Sequence, residues 1–307
     1  NVNDTNQNYS SIDGVLYSKN PIDLIQYPPK KSADSYAIPN GTTSISSQAF
    51  AHCSSLTTIY IPESVTSIDR EAFIHCSNLA LINVSESNAY FADIQGVLFS
   101  TIERIPKQLI VYPAKQSNAE YNIPDTVTSI LSNAFSSCIH LFNISIPSNI
   151  DLIPSKAFQN CWNLKFIKFN HYRIAIDSQA FSHCYHLTSI IGLSSATYIR
   201  NSAFEYCYSL TSISCFEYVD LIESCAFLYC SSLHTINFKN SIISIGSSAF
   251  EYCSSLTTIE FTENVGAISY YAFRYCSSLD TITFHRTFNS IAHDAFQYCH
   301  SLKSITI

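Results

Sequence analysis

The chain has no methionine, one tryptophan and only 6 glycines among its 307 residues. Charge is also scarce, with 16 Lys and Arg against 23 Asp and Glu and a net charge of −7. Each shortage excludes something. Few, scattered bases argue against nucleic acid, whose phosphates need clustered Lys and Arg. So few glycines leave no Gly-rich phosphate loop. No apolar run reaches the ~18 residues of a membrane-spanning helix, and Asn1-Val2-Asn3-Asp4 opens no secretory hydrophobic region. Without methionine the chain does not begin at its own initiator, and it stops at Ser304-Ile305-Thr306-Ile307 in mid-pattern. Both features suggest a matured or excised fragment.

What is present is core material, 47% apolar residues, arranged at a fixed stride. The pair Ala-Phe stands at 49–50 and 72–73, then from 134–135 every 23 residues to 295–296. Three residues behind each pair is a cysteine: Cys53, Cys76, Cys138, Cys161, Cys184, Cys207, Cys230, Cys253, Cys276 and Cys299. A leucine follows three residues later, and then an alternating pair such as Ile59/Ile61, Ile144/Ile146 or Ile259/Phe261. Ala-Phe-x-x-Cys places apolar groups at i, i+3 and i+4, which predicts a short helical turn with one inward face. Ile-x-Ile predicts a strand with one buried face. A 23-residue unit cannot bury both faces alone, whereas stacked coils can. A further apolar column, from Ile45 and Ile68 to Ile268 and Ile291, supports the stacking.

Two stretches break the stride. Residues 91–124 carry Gly96-Val97-Leu98-Phe99, then Leu109-Ile110-Val111-Tyr112-Pro113, then Tyr121-Asn122-Ile123-Pro124; residues 9–39 carry the same pattern. Short β-rich runs joined by a polar loop predict a hairpin. The hairpin replaces the Ala-Phe-x-x-Cys turn and lengthens that coil to 39 residues, Ile82 to Tyr121. Residues 1–307 are expected to form a single solenoid domain.

The segment Leu56-Thr-Thr-Ile59-Tyr-Ile61-Pro62-Glu-Ser-Val65-Thr-Ser-Ile68-Asp-Arg-Glu-Ala72-Phe73-Ile-His-Cys76 resembles the BspA-type leucine-rich repeat. The likeness extends over nearly the whole chain, and the Gly-Val-Leu…Tyr-Pro…Ile-Pro stretches resemble hairpin units of the same proteins. The fold expected is an α/β repeat solenoid, a right-handed leucine-rich-repeat superhelix. A parallel sheet would form one face and short helical or 3-10 turns the other, with hairpin units at 9–39 and 91–124. Proteins of this kind abound on the surfaces of mucosal bacteria and parasitic protists. The resemblance therefore implies a cell-surface or secreted location and adhesion to host matrix proteins or host cells. Three units drift from the pattern: Gly192 and Cys215 occupy strand sites usually held by Ile or Phe, and Arg173 stands where Val is expected.

Ten of the twelve cysteines fall on the inward column. Side chains stacked in a column run parallel, which is poor disulfide geometry, so buried reduced thiols are expected. No Cys-x-x-Cys exists, which argues against zinc. The histidines form no His-Glu-x-x-His and no triad spacing. No catalysis, metal or cofactor is expected. The site before the column cysteine becomes aromatic at Tyr206, Tyr229, Tyr252, Tyr275 and Tyr298, which suits packing between coils or a glycan-binding stripe. Sequons at Asn3, Asn8, Asn40, Asn83 and Asn143 are compatible with an exterior location.

The outward positions of the strands carry small hydroxyl or polar residues in most coils. In three adjacent coils they change, to Phe166 and Lys168, then Ile191 and Leu193, then Phe216, with His171 and Trp162 in the first of these. Clustered apolar residues on a solvated face suggest contact. Phe166, Lys168, His171, Ile191, Leu193 and Phe216 are therefore the candidate ligand-binding residues. The function expected is non-catalytic recognition of a host protein or glycan through the sheet face. The alternative is an intracellular scaffold for protein–protein interaction, located in the cytoplasm. A weaker third reading is an enzyme with a site between the hairpin units and the first coils. No nucleic-acid partner is expected, and the open C-terminal end could serve an oligomer.

Overall fold

The structure is a computed structural model that describes residues 1–170, 173–192, 195–213 and 219–306. These residues form strands and no helix, in two compact units: residues 1–118 with 126–140, and residues 119–125 with 141–307.

In the larger unit the Ile-x-Ile segments pair in parallel and in register. One sheet runs through Glu120–Asn122, Asn143–Ile146, Phe166–Phe169, Ser189–Ile191 and Ser212–Ile213. Its register sets Ile144, Ile167, Ile190 and Ile213 side by side, and all four are buried. A four-stranded sheet continues the pattern through Thr235–Phe238, Thr258–Phe261, Thr281–Phe284 and Ser304–Thr306. The further isoleucine column turns out to be a second parallel ladder. Seven strands, from Leu152–Ile153 to Phe288–Ile291, bring Ile153, Ile176, Ile199, Ile222, Ile245, Ile268 and Ile291 together. β-Branched residues suit both ladders, because each inward isoleucine fits the pleat and packs on its copy one coil away.

Between the ladders lies the Ala-Phe-x-x-Cys segment, and here the expected helical turns do not form. Ala249 N–H donates to Gly246 and Cys253 N–H to Phe250, three residues back, so each segment is a chain of tight turns. Phe250 N–H, which a helix would commit to residue 246, donates instead to Ala272 in the next coil. In every segment but one, two non-glycine residues also adopt left-handed backbone, for instance Ser248 (φ 55°) and Tyr252 (φ 60°); the Ala72–Cys76 segment has one, His75 (φ 58°). A right-handed helix cannot pass through them. Apolar spacing at i, i+3 and i+4 is met equally by turns that present one face inward. The phenylalanines stack face to face along the unit: Phe158–Phe181 at 5.2 Å, Phe227–Phe250 at 5.0 Å and Phe273–Phe296 at 5.3 Å.

In the smaller unit each hairpin region is a three-stranded antiparallel meander, one strand more than expected. Tyr9–Ile12, Val15–Ser18 and Asp23–Gln26 form the first; Phe91–Ile94, Val97–Ile102 and Ile105–Val111 form the second. Gln95 and Gly96 link the first two strands of the second meander with φ of 54° and 80°, the two positive angles of a tight hairpin turn. The last strand of each meander then pairs in parallel with the following coil, through Leu24–Ile45 and Leu109–Ile130. The buried Asn88 side chain anchors the second meander. Its amide donates to the Pro62 and Val65 carbonyls, and its oxygen accepts from the Tyr90 and Phe91 N–H groups.

Candidate binding face

Strand alternation in the larger unit turns Ile167 and Phe169 inward and Phe166 and Lys168 outward. Register places Lys168 beside Ile191 and Phe166 beside Ser189. Phe166 is 44% exposed and Ile191 53%. The two apolar side chains therefore sit diagonally on neighbouring strands, ~7–8 Å apart at their backbones. Lys165, also exposed, holds its ammonium 5.5 Å from the Phe142 ring one strand away. The exposed group is thus an apolar pair with two lysines beside it. His171, Leu193 and Phe216 lie outside the described residues. Trp162, from the same coil as Phe166, belongs to the turn segment instead, where it is 47% exposed and stacks on Tyr185 at 6.2 Å.

The departure at Gly192 has a physical reason. Its φ is +80°, and a Cβ there would lie 2.1 Å from the Phe169 carbonyl oxygen. Any side chain would collide with that neighbouring strand, so the strand ends at Ile191 and glycine takes the place of the second inward residue. Sequence reasoning overlooked other outward apolar residues. Tyr60 (48% exposed) and Leu81 (41%) project from the Thr58–Ile61 and Leu81–Val84 strands of the smaller unit, and Ile243 (68%) from the second ladder of the larger one. Tyr60 occupies the same outward alternation that singled out Phe166.

The tyrosine column is used between coils. Tyr229 and Tyr252 stack at 4.4 Å, Tyr252 and Tyr275 at 4.5 Å, Tyr275 and Tyr298 at 4.6 Å, all nearly parallel. Their faces are therefore covered by one another, and a sugar ring would need those faces. Column cysteines also act between coils, as at Cys184, whose thiol donates to the Phe158 carbonyl at 3.2 Å. Burial pushes the Cys53 thiol up to about 11 and the Cys76 thiol to about 12. Cys299 differs: a hydrogen bond from Cys276 lowers it. Among the described residues no group of three His, Cys, Asp or Glu side chains could hold a metal ion, and no helix is long and apolar enough to cross a membrane.

The stacked Leu-x-x-Ile-x-Ile coils match the family described as BspA type leucine rich repeat region over residues 29–109, 111–233 and 197–307. The chain belongs to this family. Among solved structures, the BspA-type chain is similar to a leucine-rich repeat protein from Eubacterium ventriosum ATCC 27560. The two share 25% identity and a TM-score of 0.60, over 86% of this chain and 64% of that one. This chain thus spans about 64% of the length of that protein. A leucine-rich repeat protein from Bacteroides ovatus ATCC 8483 is also 25% identical, with a TM-score of 0.40 over 97% of this chain and 92% of its own. No curated protein matches the chain.

Proposed function

We propose that the chain is a non-catalytic recognition module of a cell-surface or secreted protein. It binds a host protein or glycan through the outward sheet face around Phe166, Lys168 and Ile191. The observation that carries this reading is the exposed Phe166–Ile191 pair with Lys165 and Lys168 beside it, in a chain where only 13% of residues are charged. Neither apolar side chain is needed to fill the core, because Ile167, Phe169 and Ile190 do that from the opposite face. A small apolar centre with a cationic rim suits a partner that offers one apolar anchor and an acidic margin. The repeat family favours an exterior location, with which the five sequons are compatible. The test is a binding screen of the native protein against matrix proteins and glycans, repeated with Phe166→Ala/Ile191→Ala. A ligand held equally well by both proteins overturns the assignment of this face. A ligand drawn only from cytosolic proteins overturns the location.

A further inference from the structure

In a regular coil of the smaller unit the turn passes its N–H groups forward: Phe50 donates to Ala72 and His52 to Ile74. The turn from Ala72 to Cys76 has no such turn after it, because the meander from Phe91 to Val111 intervenes. The chain returns as Tyr112-Pro113-Ala114. Tyr112 N–H donates to Ala134, and its ring stacks on Phe135 at 5.1 Å. The layer is therefore filled on the Phe135 side only. Phe73, just 6% exposed, is left with an N–H that has no acceptor among the described residues. A backbone donor with no protein acceptor takes a water or a ligand instead.

A partly enclosed cleft of ≈ 130 Å³ lies between Phe73 and Tyr112. That is close to the ~150 Å³ cavity that accommodates benzene. Leu79, Ile110 and Tyr112 give it an apolar wall, and Ser132, Asn133 and Ser136 give it a polar one. Arg70 and His75 also line it, and no carboxylate does. Arg70 has no ion-pair partner among the described residues. Arg70 is exposed at the rim, and an uncompensated guanidinium and an unpaired N–H along one cleft make a donor set for an anion. It stands out in a chain of net charge −7.

We propose that this cleft binds a small organic anion, a single ring bearing a carboxylate or sulfate group. Arg70 and the Phe73 N–H receive the anionic oxygens. The ring lies against Leu79, Ile110 and Tyr112, and the Ser132 and Ser136 hydroxyls meet its substituents. The site is separate from the sheet face proposed above and has its own ligand class.

The test uses three probes titrated into the native 307-residue protein and followed by NMR or calorimetry: benzoate, glucuronate and the neutral benzamide. Saturable binding of benzoate or glucuronate is expected, and whichever binds tighter identifies an apolar or a hydroxylated ring. Benzamide should bind at least tenfold more weakly than benzoate if benzoate is the ligand. Arg70→Gln should weaken the bound anion about tenfold or more, as loss of a charged hydrogen bond does. Ser136→Phe should block the cleft, and both variants should keep the native melting transition. Phe166→Ala/Ile191→Ala should bind the anion normally, which separates this site from the sheet face. Failure of both anions to bind overturns the proposal. So does benzamide binding as tightly as benzoate, or full affinity in Arg70→Gln.

Discussion

The Cys76 thiol donates to the Phe50 carbonyl at 2.9 Å, reaching into the preceding coil. That carbonyl already accepts the Cys53 N–H at 3.2 Å, so the thiol takes its second lone pair. The same bond joins Cys207 to Phe181, Cys230 to Phe204 and Cys253 to Phe227. Cysteine suits the column because it is small and apolar yet still a weak donor. Alanine would leave the carbonyl one bond short and a small void. Cys184→Ala should therefore cost about 1–2 kcal/mol, seen as a shift of the denaturation midpoint without a change in slope.

Thiol labelling should divide the cysteines by burial. Cys225 and Cys299 are partly exposed, and Cys299 is held below the usual thiol range by Cys276. Cys299 should react first with a thiol reagent in the folded protein, while the buried column lags by orders of magnitude. In denaturant all twelve thiols should titrate. Mass spectrometry of the labelled peptides checks the order, and intact bridges within the column would contradict it.

Alkaline pH should destabilise the chain. The Cys76 thiol is raised by burial from 9.0 to about 12, and burial together with the bond to Tyr36 also raises Tyr17. A raised acid is neutral in the folded state while its unfolded counterpart has already lost its proton. Its contribution is complete below pH 9 and falls as pH climbs towards 12. Each such buried thiol removes about 1.4 kcal/mol per pH unit across that window. Melting temperatures measured from pH 8 to 11 should hold level and then drop steeply above pH 9. A flat profile would show that the thiols ionise without penalty.

The left-handed residues that exclude a helix make their own prediction. Ser248 adopts φ 55° while its N–H donates to Tyr270. Glycine adopts that backbone without the side-chain penalty, so Ser248→Gly should be neutral or stabilising by up to about 1 kcal/mol. Ser248→Val should cost about 1–2 kcal/mol, because a β-branched side chain is poorly tolerated there. Circular dichroism of both proteins should retain a β-rich spectrum. A rise in helical signal in either would show that the segment is poised to become a helix.

The strands were legible because ten copies of one unit state the inward residues again and again. The repeat alone aligns Ile167, Ile190 and Ile213, and they pair in that register. The helical turn was misread because Ala-Phe-x-x-Cys spacing records only which side chains face inward. It does not record that His52 or Tyr206 adopts a left-handed backbone without glycine to signal it. Phe166 and Ile191 were visible as breaks in a polar column. The Arg70 cleft was not, since it arises where one layer's turn is missing. A sequence motif marks a turn that is present and carries no trace of the space left by one that is absent.

The outward pair Phe166 and Ile191 gives the sharpest functional test. Truncating an anchor in a real interface typically costs about 2 kcal/mol or more of affinity, roughly thirtyfold. The same truncation on a solvated face changes folding stability by about half a kcal/mol. Phe166→Ala/Ile191→Ala should therefore weaken ligand binding at least thirtyfold while the melting transition stays almost fixed. Lys168→Gln should act differently, lowering the association rate and its dependence on salt more than the lifetime of the complex, because an exposed rim charge steers encounter. Surface plasmon resonance at two salt concentrations separates the two effects. Loss of binding matched by loss of folding would assign Phe166 and Ile191 to coil packing, and the sheet face would then have no anchor for a partner.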